Sequence, residues 1–365
     1  MDLLGEASSE TRILTARHIS AEKALPDTNN AVNTTLLCYS YSMQPDFGSY
    51  LAAIQPYACL FWTCGVVVLL VICALYFLTI RSASQFWRES INNVAIVLTV
   101  YPVVTASALV AIIIPRSLIL CEAIAQEVVM IAMYHYFRML IAECGGVDML
   151  IRRAGASEHR LDTRVLPCCC WPCCVIPRPR IQKQHLTSLR YLILQMPVIQ
   201  GIIYFIILIL WAEDMTLQMQ ATKYIQVFIA ASILSGMWGI IMCVRLAESL
   251  GLRPRARLLS LQLVLLIVKL QCGTARSLPG LFNLPCVMSL HPFVFVNLVQ
   301  NCVTIMQMLL LSIWAWRLYS VPPGKVVDKV QHAVVSIVED ISGVFDVKAV
   351  KSGIDNKSFK DNGDI

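Results

Sequence analysis

Seven long apolar stretches follow a polar amino-terminal segment, and they restrict the fold more than any other feature of the sequence. A helix needs about 20 predominantly apolar residues to cross roughly 30 Å of hydrocarbon, and each stretch is long enough. The stretches are residues 57–80, 91–114, 118–142, 191–212, 222–247, 257–278 and 291–316. We therefore predict an all-α integral membrane protein with seven transmembrane helices.

The composition also indicates a membrane protein. Of the 365 residues, 57% are hydrophobic and 14% are charged, whereas soluble domains carry roughly 25% charged residues. The net charge of +6 is not accompanied by a motif for reading bases, so no nucleic-acid partner is expected. The sequence has no nucleophile elbow, phosphate loop, HExxH helix or paired catalytic carboxylates. We therefore predict that the chain is not an enzyme and holds no metal or other cofactor.

The distribution of Lys and Arg predicts the orientation, because short cytoplasmic loops carry an excess of both. The loops after the first, third and fifth stretches are basic, whereas the loops after the second, fourth and sixth are poor in basic residues. We therefore expect the N-terminus outside and the C-terminus in the cytosol. This divides the chain into an extracellular segment 1–50, a transmembrane domain 51–320 and a cytosolic tail 321–365, with a long cytosolic loop at 143–190.

Three features outside the apolar stretches follow from this orientation. The sequon Asn33-Thr34-Thr35 would lie outside the cell, so we expect Asn33 to be glycosylated. In the tail, apolar residues recur at helical spacing between Val327 and Val344, which predicts an amphipathic helix on the membrane surface or against a partner. Cys38 and Cys286 would both lie outside, and nothing in the sequence fixes whether they pair.

A cysteine-rich run lies in the predicted cytosolic loop between the third and fourth stretches. Its thiols belong to Cys168, Cys169, Cys170, Cys173 and Cys174. Accessible thiols beside arginines and an interfacial tryptophan favour S-acylation, so we expect covalent palmitate here, which would hold the loop on the membrane lipids. The alternatives are a zinc site, which lacks a second pair of ligands, a redox site, and reduced structural cysteines.

Polar side chains recur within the third, sixth and seventh stretches, although ionisable groups in a membrane are costly and usually face a bundle interior or a cavity. They are Glu122, Glu127 and Arg138 in the third stretch, Lys269 and Arg276 in the sixth, and Asn297, Asn301 and Thr304 in the seventh. One hypothesis is a shared groove for an amphipathic organic anion, with the anionic head near the two cations. The alternative is structural: Glu127 pairs with Lys269, and the amides hold the helices together.

The chain resembles the alpha subunit of the organic solute transporter, a seven-span family related to the transmembrane-protein-184 group. The resemblance covers roughly residues 50–320 and rests on the cysteine run at 168–174, the segment Ile114-Pro115-Arg116-Ser117-Leu118-Ile119-Leu120 and the seven-span layout. It implies facilitated, bidirectional transport of bile acids and steroid conjugates across the plasma membrane, basolateral in epithelia, with an endoplasmic reticulum pool. It also implies a single-span beta subunit, a homodimer of alpha as a further assembly, and acylation of the cysteine run.

Two other classes of protein share this topology. A G-protein-coupled receptor has seven spans, but the third stretch here ends in His135-Tyr136-Phe137-Arg138-Met139, without an acidic-Arg-Tyr box. The seventh stretch also lacks the Asn-Pro-x-x-Tyr pattern. The other alternative is a membrane scaffold without transport activity, whose acylated loop sorts or shapes lipid.

Overall fold

The computed structural model describes residues 45–156, 161, 180–281 and 290–320, and the regular elements in these ranges are helical. A 3-10 turn, Pro115–Ser117, leads into the third helix. The helices are α1 Phe47–Phe86, α2 Ile91–Ile113, α3 Leu118–Glu143, α4 Gly146–Ala156, α5 Lys183–Glu213, α6 Met215–Ser249, α7 Arg255–Leu281 and α8 Pro292–Tyr319.

Seven of these helices are long and apolar enough to cross a membrane. They are α1, α2, α3, α5, α6, α7 and α8. This confirms the predicted all-α class with seven spans. The orientation of the termini stays a prediction.

The first span begins earlier than the hydrophobic pattern predicts, at Phe47 rather than at residue 57. Asp46 caps the helix: the Ser49 backbone N–H donates to Asp46 Oδ2 at 3.1 Å, which satisfies one of the free N–H groups of the first turn. The 40 residues of α1 span about 60 Å. Because this is about twice the hydrocarbon thickness, α1 tilts or extends beyond the membrane.

The second span is the centre of the bundle. In its most apolar window 61% of the residues are buried, compared with 17% in α1. Helix α2 packs against α1, α3 and α8, while α3 also contacts α5 and α7. The polar side chains of α3, α7 and α8 are therefore carried by helices that meet in the interior.

Helices α5 and α6 pack closely because glycines remove side chains from their contact. A Cβ atom on Gly236 would overlap the sulfur of Met196. A Cβ atom on Gly239 would lie 3.2 Å from Ile193 Cγ1. Small residues at such positions let helix backbones approach one another within a membrane.

A short helix, α4, follows α3 in the region predicted as a loop. Gly145 and Gly146 have φ angles of +89° and +87°, which glycine adopts at little cost, and they turn the chain between the two helices. Leu150 and Ala154 on α4 are buried against the end of the bundle. The helix has only 11 residues, so it gives no hydrophobic stretch that resembles a span.

Several predictions concern residues outside the described ranges. They are the sequon at Asn33, the cysteine run 168–174, the Cys38 and Cys286 pair, and the amphipathic helix in the tail 321–365. These stay predictions, as does the division into segments 1–50, 51–320 and 321–365.

Candidate functional site

Gln126 on α3 joins three spanning helices through its side-chain amide, which is almost completely buried. Its Oε1 atom accepts a hydrogen bond from Lys269 Nζ on α7 and another from Gln200 Nε2 on α5 at 3.4 Å. Its Nε2 atom donates to Glu122 Oε1, one turn earlier, at 3.0 Å. One amide therefore connects a cation, a carboxylate and a second amide in the interior.

Lys269 contacts the uncharged side chains of Gln126 and Tyr204. Beyond its hydrogen bond to Gln126, its ammonium nitrogen lies 5.8 Å from the centroid of the Tyr204 ring on α5, within the range of a cation–π interaction. Its charge also acts on the carboxylate of Glu127 on α3. We give the name lysine network to the group formed by Lys269, Tyr204, Glu127, Gln126 and Gln200.

The Glu127 carboxylate is an incompletely satisfied member of the lysine network. Its Oε2 atom is buried and accepts no hydrogen bond from any residue within the described ranges. Helix α5 passes close to it, since a Cβ atom on Gly201 would lie 3.6 Å from Glu127 Oε2. A buried acceptor without a donor is uncommon in folded proteins, so this oxygen can receive a further hydrogen bond.

A second polar region surrounds a cavity of about 50 Å³ between α2, α3, α7 and α8, which we call the chamber. Thr304 Oγ1 donates to Gln271 Oε1 at 2.7 Å, and Gln271 Nε2 donates to Gln307 Oε1 at 2.7 Å. Asn297 and Asn301 each use the amide nitrogen to donate to a backbone carbonyl of α8, at 2.9 Å and 2.8 Å. Hydrogen bonds therefore hold these amides and this hydroxyl in fixed positions beside the chamber.

The residues predicted to form one groove lie in different parts of the structure. Four line the chamber: Glu122, Asn297, Asn301 and Thr304. Glu127 and Lys269 belong to the lysine network, one helix face away. Arg138 is exposed further along α3 and joins neither region. Arg276 lies on α7, but its side chain is outside the described part of the structure. The proposed single groove is thus two polar regions, which share the Glu122–Gln126 hydrogen bond.

Sequence reasoning did not single out Gln200, Tyr204 or Gln271. Gln200 is one of two glutamines in the apolar stretch 191–212, and Gln271 comes two residues after Lys269. Amides in apolar helices mark interhelical contacts, and this signal was available in the sequence. The Tyr204 ring could not be distinguished from an ordinary lipid-facing aromatic.

An ion pair at the opposite end of the bundle was also missed. Arg257 Nη2 donates to Glu143 Oε1 at 2.8 Å, and the two side chains are 7% and 3% exposed. The guanidinium carbon lies 4.6 Å from the centroid of the Trp87 ring. The lysine network therefore lies between a chamber near one end of the bundle and a buried ion pair near the other.

No group of three or more His, Cys, Asp or Glu residues within the described ranges is placed to hold a metal ion. The polar residues described above are suited to binding and to hydrogen bonding.

Comparison with known proteins identifies the family. The sequence profile of the organic solute transporter Ostalpha family matches residues 60–323, which include α1 from Leu60 onward and the other six spans. The organic solute transporter alpha-like protein of Drosophila melanogaster is 26% identical over 232 residues, which cover 63% of this chain and 70% of the fly protein. No solved structure matches the chain. This chain belongs to the organic solute transporter Ostalpha family and is a multi-pass membrane solute transporter.

Proposed function

We propose that the chain is a facilitative transporter of amphipathic organic anions, such as bile acids and steroid conjugates, and acts with a single-span beta subunit. Membership of the family supports solute transport. The observation that carries the choice of an anion is Lys269, a cation kept inside the helical bundle by a buried amide. Ionisable groups within membrane spans are costly and mark substrate pathways.

The hydrogen bond between Lys269 and Gln126 can be exchanged for one between Lys269 and a substrate anion. Gln126 and Tyr204 carry no charge, so they solvate the ammonium group without neutralising it. A carboxylate or sulfonate forms charge-assisted hydrogen bonds that are roughly twice as strong as those of an amide. An entering anion can therefore displace Gln126 Oε1 from Lys269, and Gln126 keeps a partner in Gln200.

Glu127 provides the counter-charge when no substrate is bound. Its carboxylate interacts electrostatically with Lys269 and has a buried oxygen free to accept a hydrogen bond. When an anion leaves, the lysine regains this neighbour instead of remaining as an isolated charge, which would be far more costly. Release is then feasible toward either side, and transport follows the concentration gradient.

The proposal also includes a partner subunit, acylation of the cysteine run and a location in the cell. The resemblance supports a single-span beta subunit, palmitate on Cys168, Cys169, Cys170, Cys173 and Cys174, and the basolateral plasma membrane with an endoplasmic reticulum pool. The sparsely covered surface of α1, where 17% of the apolar window is buried, offers room for a partner helix. A second copy of alpha is the other occupant, and crosslinking distinguishes the two.

The experiment that tests this function is uptake of labelled taurocholate and estrone sulfate into cells that express the chain, with and without a single-span partner. We expect uptake above that of untransfected cells, and efflux of the same compounds from preloaded cells. Absence of both fluxes at normal surface level contradicts the proposal. Nucleotide exchange on G proteins would then indicate a receptor, and neither activity would indicate an acylated scaffold.

A further inference from the structure

We propose that the surface between α7 and α8 binds an uncharged sterol alcohol from the bilayer, at a site separate from Lys269. The two helices border an open groove of about 470 Å³, within the roughly 300–1,000 Å³ typical of sites for drug-sized molecules. Val299 and Val303 on its wall are 46% and 43% exposed, so the groove opens on the outer surface of the bundle. In a membrane this surface faces lipid.

The walls of the groove suit a rigid molecule. Val296, Val299 and Val303 lie on one face of α8, and β-branched side chains in a helix occupy essentially one rotamer. Pro292 adds a ring of fixed geometry at the start of α8. A preformed groove binds a fused-ring body with little loss of conformational freedom, whereas a flexible acyl chain must be ordered on binding.

The floor of the groove is polar at one place. Gln271 and Gln300 line both the groove and the chamber, so they form the partition between them. Gln271 is satisfied by Thr304 and Gln307. Gln300 Oε1 is buried and has no hydrogen-bond donor among the described residues. The hydroxyl group of a sterol seated in the groove would supply that donor.

Charge and size both exclude an anionic head group from this partition. The chamber behind it, at about 50 Å³, has room for only a few water molecules and hence for a hydroxyl group. Among the described residues that line the groove and the chamber, Glu122 is the one charged side chain, and none is a Lys or Arg that would pair with an anionic head group. The groove therefore binds a sterol that carries a hydroxyl group and rejects the same sterol when it carries a sulfate group.

Photolabelling tests the site on the full chain in cell membranes. The probe is a cholesterol analogue with a diazirine in its ring system, and the labelled peptides are mapped by mass spectrometry. We expect labels on α7 and α8 near Gln271, Gln300 and Val303. Unlabelled cholesterol should compete about tenfold better than cholesterol sulfate, because a rejected head group loses a buried hydrogen bond. Equal competition by the sulfate or by a diacylglycerol overturns the proposal.

Matched variants locate the label. Val299→Phe fills the groove and should reduce labelling several-fold, while Leu310→Phe, a 67% exposed position on the same helix outside the groove, should leave it unchanged. Gln300→Leu should remove the preference for cholesterol over its methyl ether.

Unchanged labelling in Val299→Phe at normal surface level contradicts the site. If that variant does not reach the surface, competition by cholesterol and cholesterol sulfate on the unmodified chain tests the site instead. Labelling is read without any substrate flux, so failure of anion transport and failure of this site are separate outcomes.

Discussion

Arg257 and Glu143 form a buried ion pair between the first turn of α7 and the last turn of α3, with 2.8 Å between Nη2 and Oε1. Tyr136 on α3 reinforces the same junction by donating its hydroxyl to the Pro254 carbonyl at 2.9 Å. The guanidinium also lies over the Trp87 ring, at the end of α1. Three spanning helices are therefore joined at one end, while the polar groups around the chamber near the other end are amides, hydroxyls, thiols and one carboxylate among apolar side chains.

Breaking this pair should destabilise the fold. Glu143→Ala leaves a buried guanidinium without its counter-charge, and removal of one partner of such a pair costs about 3–5 kcal/mol. We expect a large loss of surface protein and a lower melting temperature in detergent. The control is Glu248→Ala, which removes the partner of Arg255, a 54% exposed side chain; exposed pairs contribute about 0–1 kcal/mol. Equal effects of the two variants would contradict this role of the buried pair.

The close packing of α5 on α6 gives a second prediction. Gly236→Val places methyl groups where the Met196 side chain lies, and overpacking of a tight contact typically costs about 1–3 kcal/mol. We expect reduced thermal stability by fluorescence-detected size exclusion. Gly273→Ala on α7 is the control, because a Cβ atom there meets nothing within 4 Å. A fully stable Gly236→Val protein would show that the two helices can separate without cost.

Cys144, which follows α3, should be unreactive in the folded protein. Burial raises the pKa of its thiol to about 11, with the nearby Glu143 carboxylate acting in the same direction. The reactive thiolate is therefore scarce at neutral pH and increases as the pH approaches that pKa. We expect a membrane-permeant maleimide to label Cys144 at pH 7 only after denaturation. Rapid labelling of native protein at this residue would contradict the burial of the α3–α4 turn.

The cysteine run supplies a fourth prediction. Replacement of Cys168, Cys169, Cys170, Cys173 and Cys174 by Ser should abolish hydroxylamine-sensitive acyl exchange and reduce transport, because two or more acyl chains anchor a loop stably. Replacement of Cys59 and Cys64, which lie within the first span, is the control and should change neither. Persistence of the acyl signal in the Ser variant would place the modification elsewhere.

The seven spans were predictable because each is a long apolar run, and such runs have few alternatives to a transmembrane helix. Their ends were less predictable. The start of α1 depends on the Asp46 cap, which lies well before the apolar run that begins at residue 57. The turn at Gly145 and Gly146 leads into a helix that is too short to be recognised as a span.

The sequence identified the polar residues of the two sites, but it did not show which of them contact one another. Glu127, Lys269 and Thr304 were recognised because charged or polar groups in apolar runs are conspicuous. Their grouping depends on which face each helix turns toward its neighbours. Lys269, which bonds to Gln126, and Gln271, which bonds to Thr304, are two residues apart on α7 and therefore point about 200° apart around the helix. The sequence also grouped Arg138 with Glu127, but Arg138 is exposed. It lies on the side of α3 where Ile124 and Ile131 are exposed too, while the adjacent Phe137 and Met139 are buried.

Transport by Lys269→Gln tests whether Lys269 attracts the substrate anion. Lys183→Gln is the matched control, since Lys183 is exposed at the first turn of α5. With surface levels equalised, we expect Lys269→Gln to lower taurocholate uptake at least tenfold, Lys269→Arg to retain part of the uptake, and Lys183→Gln to transport normally. Undiminished uptake by Lys269→Gln would show that this lysine does not attract the substrate.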